Sequence, residues 1–192
     1  MMTKPMFLAA LVVGLVVAEG ALGAIAEGEE EAGAPTGLII KPLELPPGST
    51  GGNEINNCPR NASSVMASAD QESREALHRM ATSCFRERKA TLAVALLTQV
   101  IRKDPADAVA YLNRGSGQAA LGEVALALAD FTTAISLQPE LADAWFNRGT
   151  TFMRVRLLKN AVDDFTQVIR LNPGFARAYC NRGSANVQLG HY

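Results

Sequence analysis

One triplet, Asn-Arg-Gly, occurs three times at a fixed step of 34 residues: Asn113-Arg114-Gly115, Asn147-Arg148-Gly149 and Asn181-Arg182-Gly183. Pro105, Pro139 and Pro173 keep that step, as do Ala93, Ala127 and Ala161, and Leu97, Phe131 and Phe165. Aligning residues 108–141 with 142–175 adds Asp130/Asp164, Thr132/Thr166, Ile135/Ile169 and Leu137/Leu171. A period of this length marks a supersecondary unit that cannot bury its apolar face alone and must stack on its neighbours.

Each unit reads as two helices. In 142–175 the spacing predicts helix A from Ala142 to about Val155 and helix B from about Leu158 to Leu171. Trp145, Arg148-Gly149 and Phe152 recur on one side of A, and Ala161, Phe165 and Val168 on one side of B. Gly149 and Ala161 are small where the two helices must approach, and Pro173 ends helix B.

These residues resemble the tetratricopeptide (TPR) repeat, whose pattern is W-x2-L-G-x2-Y, then A-x3-F, then P. Unit 142–175 supplies Trp145, Arg148, Gly149, Phe152, Ala161, Phe165 and Pro173; unit 108–141 supplies Tyr111, Arg114, Gly115, Gln118, Ala127, Phe131 and Pro139. Arg for Leu before the Gly, and Gln118 for the aromatic, depart from it. Unit 74–107 is a worn version with Leu77, Met80, Ala81, Cys84, Ala93, Leu97 and Pro105. Residues 176–192 hold helix A alone, either as a terminal helix capping the stack or as the start of a longer array. The resemblance implies an all-α, right-handed superhelical array of antiparallel helix pairs, about 3.5 repeats long, within a domain spanning 67–192.

The rest of the chain differs in kind. Residues 1–26 have the layout of a secretory signal peptide: Lys4, the apolar run Met6–Ala18, and an Ala24-Ile25-Ala26 cleavage site. The rival is a retained inner-membrane anchor over 6–26, which would bury Glu19. Cleavage predicts a periplasmic or extracellular protein. Residues 27–66 are an acidic Pro/Gly-rich stretch, expected as a disordered linker. Within it, Gly37-Leu38-Ile39-Ile40 is an apolar piece able to dock like a strand, a flexible tether being the preferred reading. Export allows a Cys58–Cys84 disulfide tying linker to array, with Cys180 left free; on the chain-entropy estimate such a bridge stabilises by about 3.5 kcal/mol.

By the same resemblance, helix A faces line a concave groove. Asn113, Asn147 and Asn181 would form a ladder there, since a carboxamide pairs with a peptide backbone of any sequence. Leu112, Phe146, Thr150 and Met153 would add contact, and Arg154 and Arg177 would take an acidic side chain or a C-terminal carboxylate. For any single Asn, a role bonding neighbouring helices is an equal alternative. The carboxylate clamp of chaperone-tail-binding TPRs is mostly absent: Asn113 fits one position, but His78, Thr82, Asp143 and Asn147 stand at the others.

Other chemistry is sparse. A net charge of −1 argues against a nucleic-acid partner held by bulk charge. Three Cys and two His fit no usual metal spacing. No nucleophile elbow, zinc-protease helix, phosphate loop or C-x-x-C occurs, so neither a cofactor nor an enzyme is expected. Asp163-Asp164 reads as a solvated helix face. The expected function is an exported adaptor or scaffold gripping a peptide or protein segment. A regulatory or targeting subunit of an envelope enzyme is the alternative, as is self-association through the open face at the C-terminal end.

Overall fold

The computed structural model describes residues 37–42, 57–69 and 71–190. The expected signal peptide (1–26) lies outside them, as do most of the expected linker and the last two residues. Among the described residues there are eight helices and no strand: α1 Ala62–Ala69, α2 Arg74–Arg86, α3 Ala90–Lys103, α4 Ala108–Ala120, α5 Val124–Leu137, α6 Ala142–Arg154, α7 Leu158–Leu171 and α8 Ala176–Leu189. From α2 onward each packs on the next, giving antiparallel pairs α2/α3, α4/α5 and α6/α7, with α8 against α7. No helix among the described residues is long and apolar enough to cross a membrane.

The punctuation is local chemistry repeated. The residue before each repeat proline is extended, as the proline ring requires: Asp104 (φ −141°, ψ 93°), Gln138 (−140°, 84°) and Asn172 (−139°, 91°). The A–B turns place Arg88, Gly122 and Arg156 in the left-handed region, at φ 62°, 82° and 64°. Only Gly122 suits that conformation. Arg88→Gly is therefore expected to stabilise by about 0.5–1 kcal/mol, read as a higher urea midpoint at unchanged slope.

Residues 57–66 lie in the expected linker, yet a helix begins within them at Ala62. Asn61 Oδ1 accepts the Ser64 N–H at 2.9 Å, and the Ser64 hydroxyl donates to Asn61 O at 2.7 Å, fixing the start of α1. This helix packs on α3. Cys58 is disulfide-bonded to Cys84, with Cα atoms 4.6 Å apart, while Cys180 is free and exposed.

The core runs through the stack as three clusters, centred on Leu77, Leu96 and Leu97; on Leu112, Phe131 and Ile135; and on Phe146, Phe165 and Val168. Between the A and B helices of a unit lies an ion pair. Arg114 grips Asp130 with two N–H groups at 2.7 and 2.8 Å, and Arg148 grips Asp164 at 2.9 and 2.8 Å. Each arginine also reaches a threonine on the preceding B helix, Thr98 or Thr132, at 3.4 and 3.2 Å. Arg148 further lies over Trp145, 5.0 Å from the ring centre. Asp164 is thus no solvated carboxylate: it is 3% exposed, and burial pushes its carboxyl up against the opposing pull of Arg148. Adjacent helix residues do diverge, and divergence sends Asp163 outward and Asp164 in.

Candidate functional site: a groove with a segment in it

The A helices α4, α6 and α8 bring Asn113, Asn147 and Arg177 to one surface, and residues Gly37–Lys41 of the same chain lie along it. Asn147 Oδ1 accepts the Ile39 N–H at 2.8 Å, and its amide donates to Ile39 O at 2.7 Å. Asn113 repeats the pair with Lys41, at 2.8 and 2.7 Å. Arg177 donates to Gly37 O at 2.5 Å. The segment therefore runs from the fourth unit toward the second, opposite to the order of the repeats.

Each asparagine closes a ring with the N–H and C=O of one residue, the pairing one strand offers another. Alternate residues of an extended chain present their polar groups to the same edge, so the occupied positions are two apart. Ser116, one turn beyond Asn113 on α4, completes the site. Its Oγ lies 3.1 Å from Ile39 O and 2.9 Å from Leu112 O, and accepts the second Asn147 N–H at 2.9 Å. With both amide hydrogens taken, the Asn147 side chain is held in one orientation. Asn113 and Asn147 are both buried, at 2% and 0% exposure.

The side chains of the segment rest on three patches of the array. Ile40 packs on the first core cluster, Leu38 on the second and Ile39 on the third. All are half-buried, as is Lys41.

The remaining expected groove residues divide. Thr150 is half-buried with its hydroxyl bonded to Phe146 O, and its methyl would be 3.8 Å from a Cβ on Gly37. Leu112 and Phe146 are fully buried and form the wall behind the groove. Phe146 stacks on Phe175 with ring centres 5.0 Å apart, and Arg177 lies 4.8 Å above it. Met153 packs half-buried on the third cluster. Arg154 donates to Ala119 O at 2.9 Å, tying α6 to α4. Asn181 makes no side-chain hydrogen bond among the described residues.

His78 does not face a groove. It is 1% exposed and its Nε2–H donates to Asp107 Oδ2 at 2.8 Å. Asp107 caps α4 by accepting the Ala110 N–H, also at 2.8 Å. Burial works against the Asp107 charge, but His78, the Ala110 N–H and Arg74, 3.7 Å away, outweigh it and hold the carboxyl below its ordinary value of 3.8. A carboxylate depressed on folding stabilises above its unfolded pKa and loses that contribution as pH falls through the folded one. Asp107→Asn should therefore lower the urea midpoint at about pH 7, and the gap to the wild type should narrow as the pH falls below the ordinary carboxylate range.

Comparison with known proteins matches these observations. A tetratricopeptide repeat family model fits residues 78–142 and 112–174, together just over half of the chain. No curated protein matches the sequence. Among solved structures, the crystal structure of MamA superposes with a TM-score of 0.62 at 26% identity, over 69% of this chain and 77% of that one. The second TPR domain of human RPAP3, solved with the HSP70 peptide SGPTIEEVD, superposes at 0.54 and 25% identity, over 66% and 98%. The first TPR of Spaghetti (RPAP3), bound to the HSP90 peptide SRMEEVD, gives 0.57 at 21% identity, over 68% and 96%.

Proposed function

Because this chain belongs to the tetratricopeptide repeat family, we infer that it is a protein-binding scaffold whose groove grips an extended segment through the backbone. One observation carries the reading: Asn147 and Asn113 each satisfy both polar groups of one residue in a segment already lying there. A similar fold holds a peptide in the human RPAP3 domain. The grip here differs in kind from a clamp on an acidic tail, since His78 is buried and hydrogen-bonded to Asp107 and the bound segment is aliphatic and ends in Lys41. The signal-like residues 1–26 and the Cys58–Cys84 bridge both suit an oxidising compartment, so our reading is an exported adaptor.

Affinity capture from the chain's own source tests the reading: the resident segment is weakened by Leu38→Asp, Ile39→Asp and Ile40→Asp so that the groove is free, and capture by this protein is compared with capture by the same protein carrying Asn113→Ala plus Asn147→Ala. Each amide makes two backbone bonds worth about 1 kcal/mol apiece, so the asparagine variant should lose at least about tenfold in captured partner. Undiminished capture would remove the ladder from the mechanism.

A further inference from the structure

The groove of this chain is not open. Five consecutive residues of the same polypeptide fill it, and they do so with the complementarity of a ligand: alternate backbone groups at 39 and 41 paired, Gly37 O held by Arg177, and three adjoining side chains on three apolar patches. We propose that Gly37–Lys41 is a resident ligand that closes the groove in cis, and that the outside ligands are extended segments with aliphatic side chains at the three positions held by Leu38, Ile39 and Ile40. The proposal rests on the groove reading above and adds two things to it, a gate and a specificity.

The specificity follows from what the ladder cannot do. Asparagine amides read only the backbone and accept any sequence. Selection must come from the side chains, and here all three lie half-buried against core clusters, where a charge or an unpartnered hydroxyl would lose its water. The gate follows from occupancy. A partner that binds only the emptied groove has its apparent affinity reduced by the fraction of molecules in which the groove is empty. The closing segment makes hydrogen bonds along one edge only. Among the described residues, the N–H groups of Leu38 and Ile40 have no partner, so the segment is held by half of its backbone and can be displaced.

Three measurements test this. The probe is a fluorescent peptide of sequence Gly-Leu-Ile-Ile-Lys, blocked at both ends, with Gly-Ser-Ser-Ser-Lys as its polar counterpart. The first protein is the full chain; the second is the full chain carrying Leu38→Asp, Ile39→Asp and Ile40→Asp, checked for unchanged helicity by circular dichroism. The opened form should bind the aliphatic probe at least about tenfold more tightly than the wild type, and should leave the serine peptide unbound. Amide exchange on the wild type needs no opened variant: Ile39 and Lys41 should be protected, Leu38 and Ile40 should not, and Asn113→Ala plus Asn147→Ala should abolish the alternation. Equal probe affinity in both forms, with all four amides unprotected, overturns the gate and leaves the groove reading standing. Equal binding of the two peptides overturns the aliphatic specificity. Failure of the opened form to bind the aliphatic probe overturns both this proposal and the groove reading.

Discussion

Arg148→Ala should destabilise the array by about 3–5 kcal/mol, the cost of leaving one partner of a buried pair uncompensated. Its guanidinium meets Asp164 with two hydrogen bonds, and the side chains are only 17% and 4% exposed. Removing the arginine strands a carboxylate that burial already pushes toward protonation. Asp164→Ala should cost a similar amount by stranding the cation. Because each single change already forfeits the pair, the double variant should be less damaged than the sum, by a coupling of about 1–3 kcal/mol in a double-mutant cycle in urea. Additive losses would mean that the two side chains act separately, with Arg148 serving mainly as cover for Trp145 and Phe152.

The second large effect is a change of sign along the repeat. Gly115 and Gly183 hold the same place in their units. A Cβ on Gly115 would sit 2.8 and 3.0 Å from two ring carbons of Phe131 and 3.1 Å from the backbone oxygen of Ala127. Phe131 is fully buried and cannot retreat. Gly115→Ala should therefore cost about 1–3 kcal/mol through overpacking, in spite of the better helix propensity of alanine. At Gly183 a Cβ would meet nothing within 4 Å. There only the propensity remains, and Gly183→Ala should gain about 0.8 kcal/mol. Thermal unfolding of the two variants decides it: opposite shifts are expected, and shifts of one sign would show that propensity, not packing, governs the position.

Much of the array was legible because it is written more than once. The prolines mark the ends of the B helices, the small residues mark the close approaches, and Phe131 and Phe165 mark the core; each reading at one unit is checked by the next. The Arg–Asp pairing was legible too, as an Arg and an Asp 16 residues apart in two successive units. It is missed when Asp164 is judged beside Asp163 rather than across to the neighbouring helix. The turn conformation at Arg88 and Arg156 carries no signal of its own, because glycine stands at only one of the three equivalent positions.

The groove was half legible. The asparagine ladder follows from the repeat, and Asn113 and Asn147 meet a backbone as a carboxamide should. The occupant does not follow from it. Leu38-Ile39-Ile40 is short, flanked by glycine and proline, and has no period, so composition favours a tether. What places it is a surface made by residues 70 to 140 positions away in sequence, and such contacts are invisible to local pattern. The same holds for α1 and Cys58, which become part of the array only through α3 and Cys84.

The ladder also turns the array into a ruler. Between the second and third units, 34 residues advance the groove by one asparagine and the bound segment by two residues, from Lys41 to Ile39; the next step, to Gly37, is taken by Arg177 and not by Asn181. Two residues of extended chain span about 6.6–6.8 Å, so it is the amide ends of Asn113 and Asn147 that keep step with the strand repeat. The length of segment that such a scaffold recognises is therefore counted in pairs. Inserting a further unit with its Asn-Arg-Gly would lengthen the bound stretch by two residues and keep the same face of it toward the helices.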